Sequence, residues 1–149
     1  GIQAADLVGR KLGMRAGGVI TDLLDEFGER ADALDAADGM AAFGERLRAA
    51  VADARRASAH LMQIAPDDPR SLLAGSTPYL RLLGTTVCAG LLAKGALAAS
   101  GDDPDSVAKR ASARFFGEQI LPTVAGLLPA ITADAAALYE LDAAQLATN

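Results

Sequence analysis

Apolar residues recur along this chain at spacings of three and four, the period of one helix face, and four segments carry the pattern. The first spans residues 2–34, with Ala16, Ile20, Leu23, Phe27 and Leu34 on one stripe and Asp22, Asp25, Glu26 and Glu29 around it. Gly17 and Gly18 interrupt it. Glycine in a helix interior costs roughly 1 kcal/mol relative to alanine, so the pair marks a bend or a close backbone approach. The second segment begins near Asp38, the expected N-cap, and ends before Pro66, because the residue preceding proline disfavours helical backbone. Its stripe of Met40, Phe43, Leu47, Val51, Ala54, Ser58 and Leu61 is the clearest in the chain, with Arg46, Arg48, Asp53, Arg55 and Arg56 off it.

Asp67, Asp68 and Pro69 open a turn, and Ser71 to Ala74 make one helical turn closed by Gly75. Thr77 is the expected N-cap of the third helix, with Pro78 at its first position and Gly101 as its stop. Leu80, Leu83, Val87, Leu91 and Ala98 form its stripe, and Leu82, Cys88 and Leu92 widen it, so the helix is expected to be largely enclosed. Asp103 and Pro104 start the fourth helix, whose periodic positions Val107, Ala111, Phe115, Ile120, Val124, Leu127 and Ile131 lead to about Tyr139. Pro122 removes a backbone donor and is expected to kink it, as is Pro129. Asp142 is placed to cap a last turn that frays by Asn149. Short loops at 35–38, 65–77 and 101–104 favour antiparallel neighbours. The expected fold is all-α, an up-down antiparallel four-helix bundle with a long first helix and a Pro-kinked last helix. Leu83, Val87, Leu91, Phe115 and Ile120 are its expected central core.

Composition agrees with helices. Aromatics are 4% of the 149 residues and tryptophan is absent, while abundant Ala and Gly let helices approach closely. A net charge of −5 argues against a nucleic-acid partner, which needs clustered Lys and Arg. The uncharged runs 82–93 and 119–133 fall short of the roughly 20 apolar residues of a membrane span. Asp6, Arg10 and Lys11 break the pattern of a secretory signal, and a cytoplasmic location is expected.

Candidate chemistry is sparse. His60 is the one histidine, and no Glu-x-x-His pair exists, so a metal site is not expected. His60 reads as a partly buried structural residue. Cys88 is the one cysteine, set among small apolar residues from Gly84 to Gly90, and reads as a buried, inert thiol. Gly84, Gly90 and Gly95 read as points of close helix contact. Lys109, Arg110 and Arg114 read as surface ion pairs. The residues alone describe a helical bundle with no self-contained catalytic site.

Three stretches carry a family likeness. Residues 1–12 read GIQAADLVGRKL, the segment from Pro78 to Ala98 begins PYLRLLG, and residues 111–122 read ASARFFGEQILP. The last, an aromatic followed by Leu-Pro, is the most specific; Phe115 and Phe116 stand where relatives often carry Phe-Tyr. Together they resemble the C-terminal helical portion of FAD-dependent acyl-CoA dehydrogenases, the acyl-CoA dehydrogenase C-terminal domain subgroup, starting just after the catalytic-glutamate motif.

The resemblance implies a parent enzyme in which a glutamate, in a Y-E-G-T type motif, abstracts the α-proton of an acyl-CoA. Hydride from the β-carbon then passes to flavin N5, leaving a 2,3-enoyl-CoA. By the same resemblance, residues 1–34 continue the parent's catalytic helical domain, and residues 35–149 pack with them as a C-terminal bundle. Gly1 and Gln3 match the end of the stretch that approaches the flavin and are the candidate cofactor-binding residues. FAD belongs to the parent and none is expected on this chain alone. The implied partners are the remainder of the dehydrogenase, acyl-CoA in the parent, and further copies in a homo-oligomer. Gly1 in the place of an initiator Met fits an excised piece. Ile2, Leu7, Val8 and Leu12 do not continue into the stripe at Ala16, so this segment is expected to face cofactor and partner domain rather than its own bundle. The alternative is a free-standing helical interaction or dimerisation module.

Overall fold

The clearest stripe makes the central helix. In a computed structural model describing residues 1–147, Phe43, Leu47, Val51, Ala54, Ser58 and Leu61 are all buried along α3 (Ala41–Ile64). Met40, also buried, is its N-cap in place of the expected Asp38. Gly39 takes a left-handed turn (φ 66°) that delays the helix by two residues and leaves Asp38 in the exposed turn. The described residues are helices and turns without a strand.

α2 (Gly18–Asp35) makes the most extensive pairing, along α3, and buries Leu24, Phe27, Ala31 and Leu34. Gly44 permits it: a Cβ there would meet the Ala31 carbonyl oxygen at 2.7 Å. Arg48 bridges to Asp32 and Asp35, and Arg55 to Asp25, along the exposed edge, where such pairs contribute little.

The first helix is not continuous. α1 (Ile2–Asp6) runs into a π-turn at Leu7–Lys11, and Arg15, Ala16 and Gly17 then take positive φ before α2 begins. The glycine pair does mark a break, because Gly17 lies against Met62 with no room for a side chain. Ala16, expected on the apolar stripe, is exposed. The expectation that residues 1–12 turn away from the bundle also fails for its inner face. Ala4, Val8 and Leu12, spaced by four, are buried, and Val8 and Leu12 join the common core, while Ile2 remains 88% exposed.

Asp68 caps α4 (Pro69–Ala74) by accepting the Ser71 amide at 3.0 Å. α5 (Ser76–Ala98) follows directly, with Gly75 rather than Thr77 at its cap. Gly75 packs on the Ile131 carbonyl, 2.7 Å from where a Cβ would stand, and this contact fixes the joint. The inner face of α5 is Tyr79, Leu82, Leu83, Thr86, Ala89, Gly90, Ala93 and Ala96. Of the expected core, Leu83 is buried and Val87 partly so, but Leu91, Phe115 and Ile120 are exposed. α2 and α3 approach α5 on its small-residue side, which turns the larger Leu91 outward.

Asp103 caps α6 (Pro104–Phe115), accepting the Asp105 and Ser106 amides at 3.1 Å. The last helix is then broken up rather than kinked. A π-turn at Phe116–Ile120 and a 3-10 turn at Leu121–Val124 lead to Gly126 (φ 97°) and α7 (Leu127–Thr132). Ala113, Gly117, Leu121 and Val124, spaced by four, four and three, face inward through these turns, so the inner side is not the expected Val107, Ala111 and Phe115 stripe. Beyond α7, the Ala135 amide donates to the buried Ser71 hydroxyl oxygen at 2.9 Å, holding this segment to α4. Asp142 caps α8 (Ala143–Leu146) in a reciprocal box with Gln145, as expected; the fraying expected at Asn149 falls outside the described residues. Core residues from Val8 to Ile131 form one cluster.

Candidate functional site

Ionisable groups do not converge on a reaction centre. His60 is half-buried, and no group of three metal-ligating side chains occurs among the described residues. Lys109 pairs with Asp105 at 2.6 Å, and Arg110 donates to the Ala99 and Gly101 carbonyls at 2.5 and 2.8 Å. Arg110 thus satisfies carbonyls of the turn just beyond α5. Buried polarity serves packing: Ser58 donates to the Ala54 carbonyl at 2.7 Å, so the Tyr79 hydroxyl donates to Ser58 at 2.8 Å. Burial pushes the Tyr79 phenol above its ordinary value, with the Ser58 bond opposing.

Large apolar side chains stand exposed on α5 and α6. Gly84, Cys88, Leu91 and Gly95 follow one another along the outer face of α5, spaced by four, three and four. Cys88 is exposed on this face, contrary to the buried thiol expected from its small neighbours. Ala108, Ser112 and Phe115 form the matching line on α6. Leu91, Leu92, Gly95, Ala108, Lys109 and Ser112 border a groove of about 270 Å³ between the two helices. Leu91 is 57% and Phe115 60% exposed. By length and composition α5 could cross a membrane, yet its inner face packs in the core and 39% of its most apolar stretch is buried.

Gly1 and Gln3, the candidate flavin contacts, stand at the exposed end of α1. The Gly1 carbonyl accepts the Ala5 amide at 3.0 Å, and open space surrounds the position of a Cβ on Gly1. Neither residue borders the α5–α6 groove. These two residues form no cradle for a flavin by themselves.

A family model described as acetyl-CoA dehydrogenase C-terminal like matches residues 20–142. The chain is also similar to the 3-methylmercaptopropionyl-CoA dehydrogenase of Ruegeria pomeroyi, 35% identical in an alignment 130 residues long that covers 80% of this chain and 22% of that protein. The chain therefore spans about a fifth of the length of that relative.

Proposed function

This chain belongs to the acetyl-CoA dehydrogenase C-terminal-like family, and from that premise we propose that it is the C-terminal structural and assembly part of an FAD-dependent acyl-CoA dehydrogenase. The whole enzyme oxidises an acyl-CoA to its 2,3-enoyl-CoA, and this chain alone is not catalytic. FAD, when bound, accepts the hydride and is held by the rest of the enzyme, with Gly1 and Gln3 on its rim. α2, α3, α5 and α6 form the up-down bundle, residues 1–34 continue the enzyme's helical catalytic domain, and the enzyme works as a cytoplasmic homo-oligomer.

The exposed apolar face of α5 and α6 carries this reading. A face bearing Leu91 and Phe115 at more than half exposure calls for a cover, and assembly supplies one. In the whole dehydrogenase, Leu91→Asp with Phe115→Asp should dissociate or destabilise the assembly while leaving the melting temperature of the 149-residue chain nearly unchanged. Assembly unaffected by both charges would remove the proposal. The same face suits a free-standing dimerisation module, and the gene separates the two: a Y-E-G-T type motif encoded just before Gly1 supports the dehydrogenase, and its absence favours the module.

A further inference from the structure

Charge divides this chain at Arg114. No Lys or Arg follows it, while Glu118, Asp134, Glu140 and Asp142 do. α5 is the opposite case, with Arg81 and Lys94 as its charged side chains and no Asp or Glu. Both cations are exposed, and neither has an ion pair or hydrogen bond among the described residues. Arg81 precedes Gly84 by three positions and Lys94 follows Leu91 by three, so the cations flank the apolar outer face on its own side of the helix. Lys109, across the groove, is already paired with Asp105. The remaining charge of this face is therefore positive, in a chain whose net charge is −5.

The segment beyond α7 has the complementary make-up. Leu138, Leu141 and Leu146 are each more than half exposed. The exposed carboxylates of Asp134, Glu140 and Asp142 stand among them. This tail is tied to the bundle through the Ala135 amide on Ser71 and the Tyr139 ring beneath Arg70, and its leucines lie outside the common core.

Two outer faces packed on each other would set Arg81 and Lys94 against the cations of the other copy, and like charges across an interface are costly. An anionic lipid surface would meet the cations but repel the acidic chain as a whole. A tail laid on the face of another copy meets both needs: carboxylate meets cation, and leucine meets Leu91 and Phe115.

We propose that the C-terminal segment of one copy, residues 134–146, docks on the outer face of α5 in a second copy. The exchange is reciprocal. Each copy offers one face and one tail, so two like contacts close a two-fold dimer. This deepens the assembly reading above and rests on it in one respect, that protein covers the face. A segment of this length covers less than a standard interface, so the 149-residue protein should dimerise weakly, with a Kd of about 0.1 mM. At the micromolar concentrations of a melting curve the chain is monomeric.

Sedimentation equilibrium of the 149-residue protein from about 10 μM to about 1 mM tests this. Arg81→Glu with Lys94→Glu should weaken the dimer about tenfold or more, as should Asp134→Lys with Glu140→Lys. An equimolar mixture of these two variants should recover the dimer, because each tail then finds a face of opposite charge. Leu138→Asn with Leu141→Asn leaves every charge in place and should also weaken association, which keeps the test valid if a charge variant misfolds. A chain monomeric throughout that range, variants that associate like the wild type, or a mixture no tighter than its parts would each overturn the proposal. So would binding to phosphatidylglycerol vesicles by a chain that does not self-associate. If the dimer is absent while Leu91→Asp with Phe115→Asp still dissociates the whole dehydrogenase, another partner covers the face, and this proposal falls while the assembly reading stands.

Discussion

A Cβ placed on Gly90 would lie 2.3 Å from a ring carbon of the fully buried Phe27. The missing methyl is what lets α2 and α5 meet. At the same contact Arg30 donates to the Gly90 carbonyl at 3.1 Å and lies over the Phe27 ring, 5.3 Å from its centroid.

Gly90→Ala therefore sets two effects against each other. Helix propensity gains about 1 kcal/mol, while overpacking against an immobile ring costs about 1–3 kcal/mol. We expect net destabilisation in urea unfolding. Gly84, with open space around it, is the control: Gly84→Ala should stabilise by up to about 1 kcal/mol.

Leu82 and Leu91 sit on opposite sides of α5 and should respond oppositely. Leu82→Ala opens a cavity in the core and should cost about 2–5 kcal/mol. Leu91→Ala should stay within about 0.5 kcal/mol. Chemical denaturation of both variants checks the helix orientation, and a large loss at Leu91 would contradict it.

The Ser58–Tyr79 pair is asymmetric. Tyr79→Phe leaves Ser58 bonded to the Ala54 carbonyl and should cost about 0.5–1.5 kcal/mol. Ser58→Ala strands a buried phenol donor and should cost about 1–3 kcal/mol. Comparison of the two melting curves decides whether Tyr79 is the donor, and equal costs would argue against it.

Acid and alkali should act through different groups. Hydrogen bonding by Ser71, its side chain ahead of its amide, holds Asp68 below the ordinary carboxylate range, and Ser106 does the same for Asp103. A depressed folded pKa gives stability that is present above the unfolded value and lost as pH falls through the folded one. Melting temperature should thus fall below about pH 4, less steeply in Asp68→Ala or Asp103→Ala. Tyr79 has the opposite sign: its raised pKa stabilises below its ordinary 10.0, and that contribution is lost as pH climbs through the raised value. Ultraviolet titration of a Tyr139→Phe protein should therefore show phenolate above pH 10.0, not below it.

The sequence revealed α3 almost completely because its two faces differ in polarity. α5 misled because both of its faces are apolar. Periodicity then cannot say which face turns inward, and residue size favoured Leu91 over Gly90 and Ala93 although the close helix contact needs the small side. On α6 the expected stripe of Val107, Ala111 and Phe115 is the exposed side already before the π-turn, and the small residues Ala113 and Gly117 take the inner face instead. The interruption near Gly17 was legible from the glycine pair, but the inner line of Ala4, Val8 and Leu12 was hidden by the expectation of one continuous stripe. Family membership was readable from the motifs at 78–98 and 111–122, which lie inside the residues the family model matches.

Ser71 and Ala135 are 64 residues apart in sequence, and one hydroxyl joins them. Closing so long a loop is entropically costly before the bundle has formed and far cheaper afterwards. The strap beyond α7 is therefore expected to dock late in folding, onto a surface that α4 and α5 have already assembled. In reverse, release of Ala135 is expected to leave the paired helices intact and to present the backbone around 133–142 to a protease.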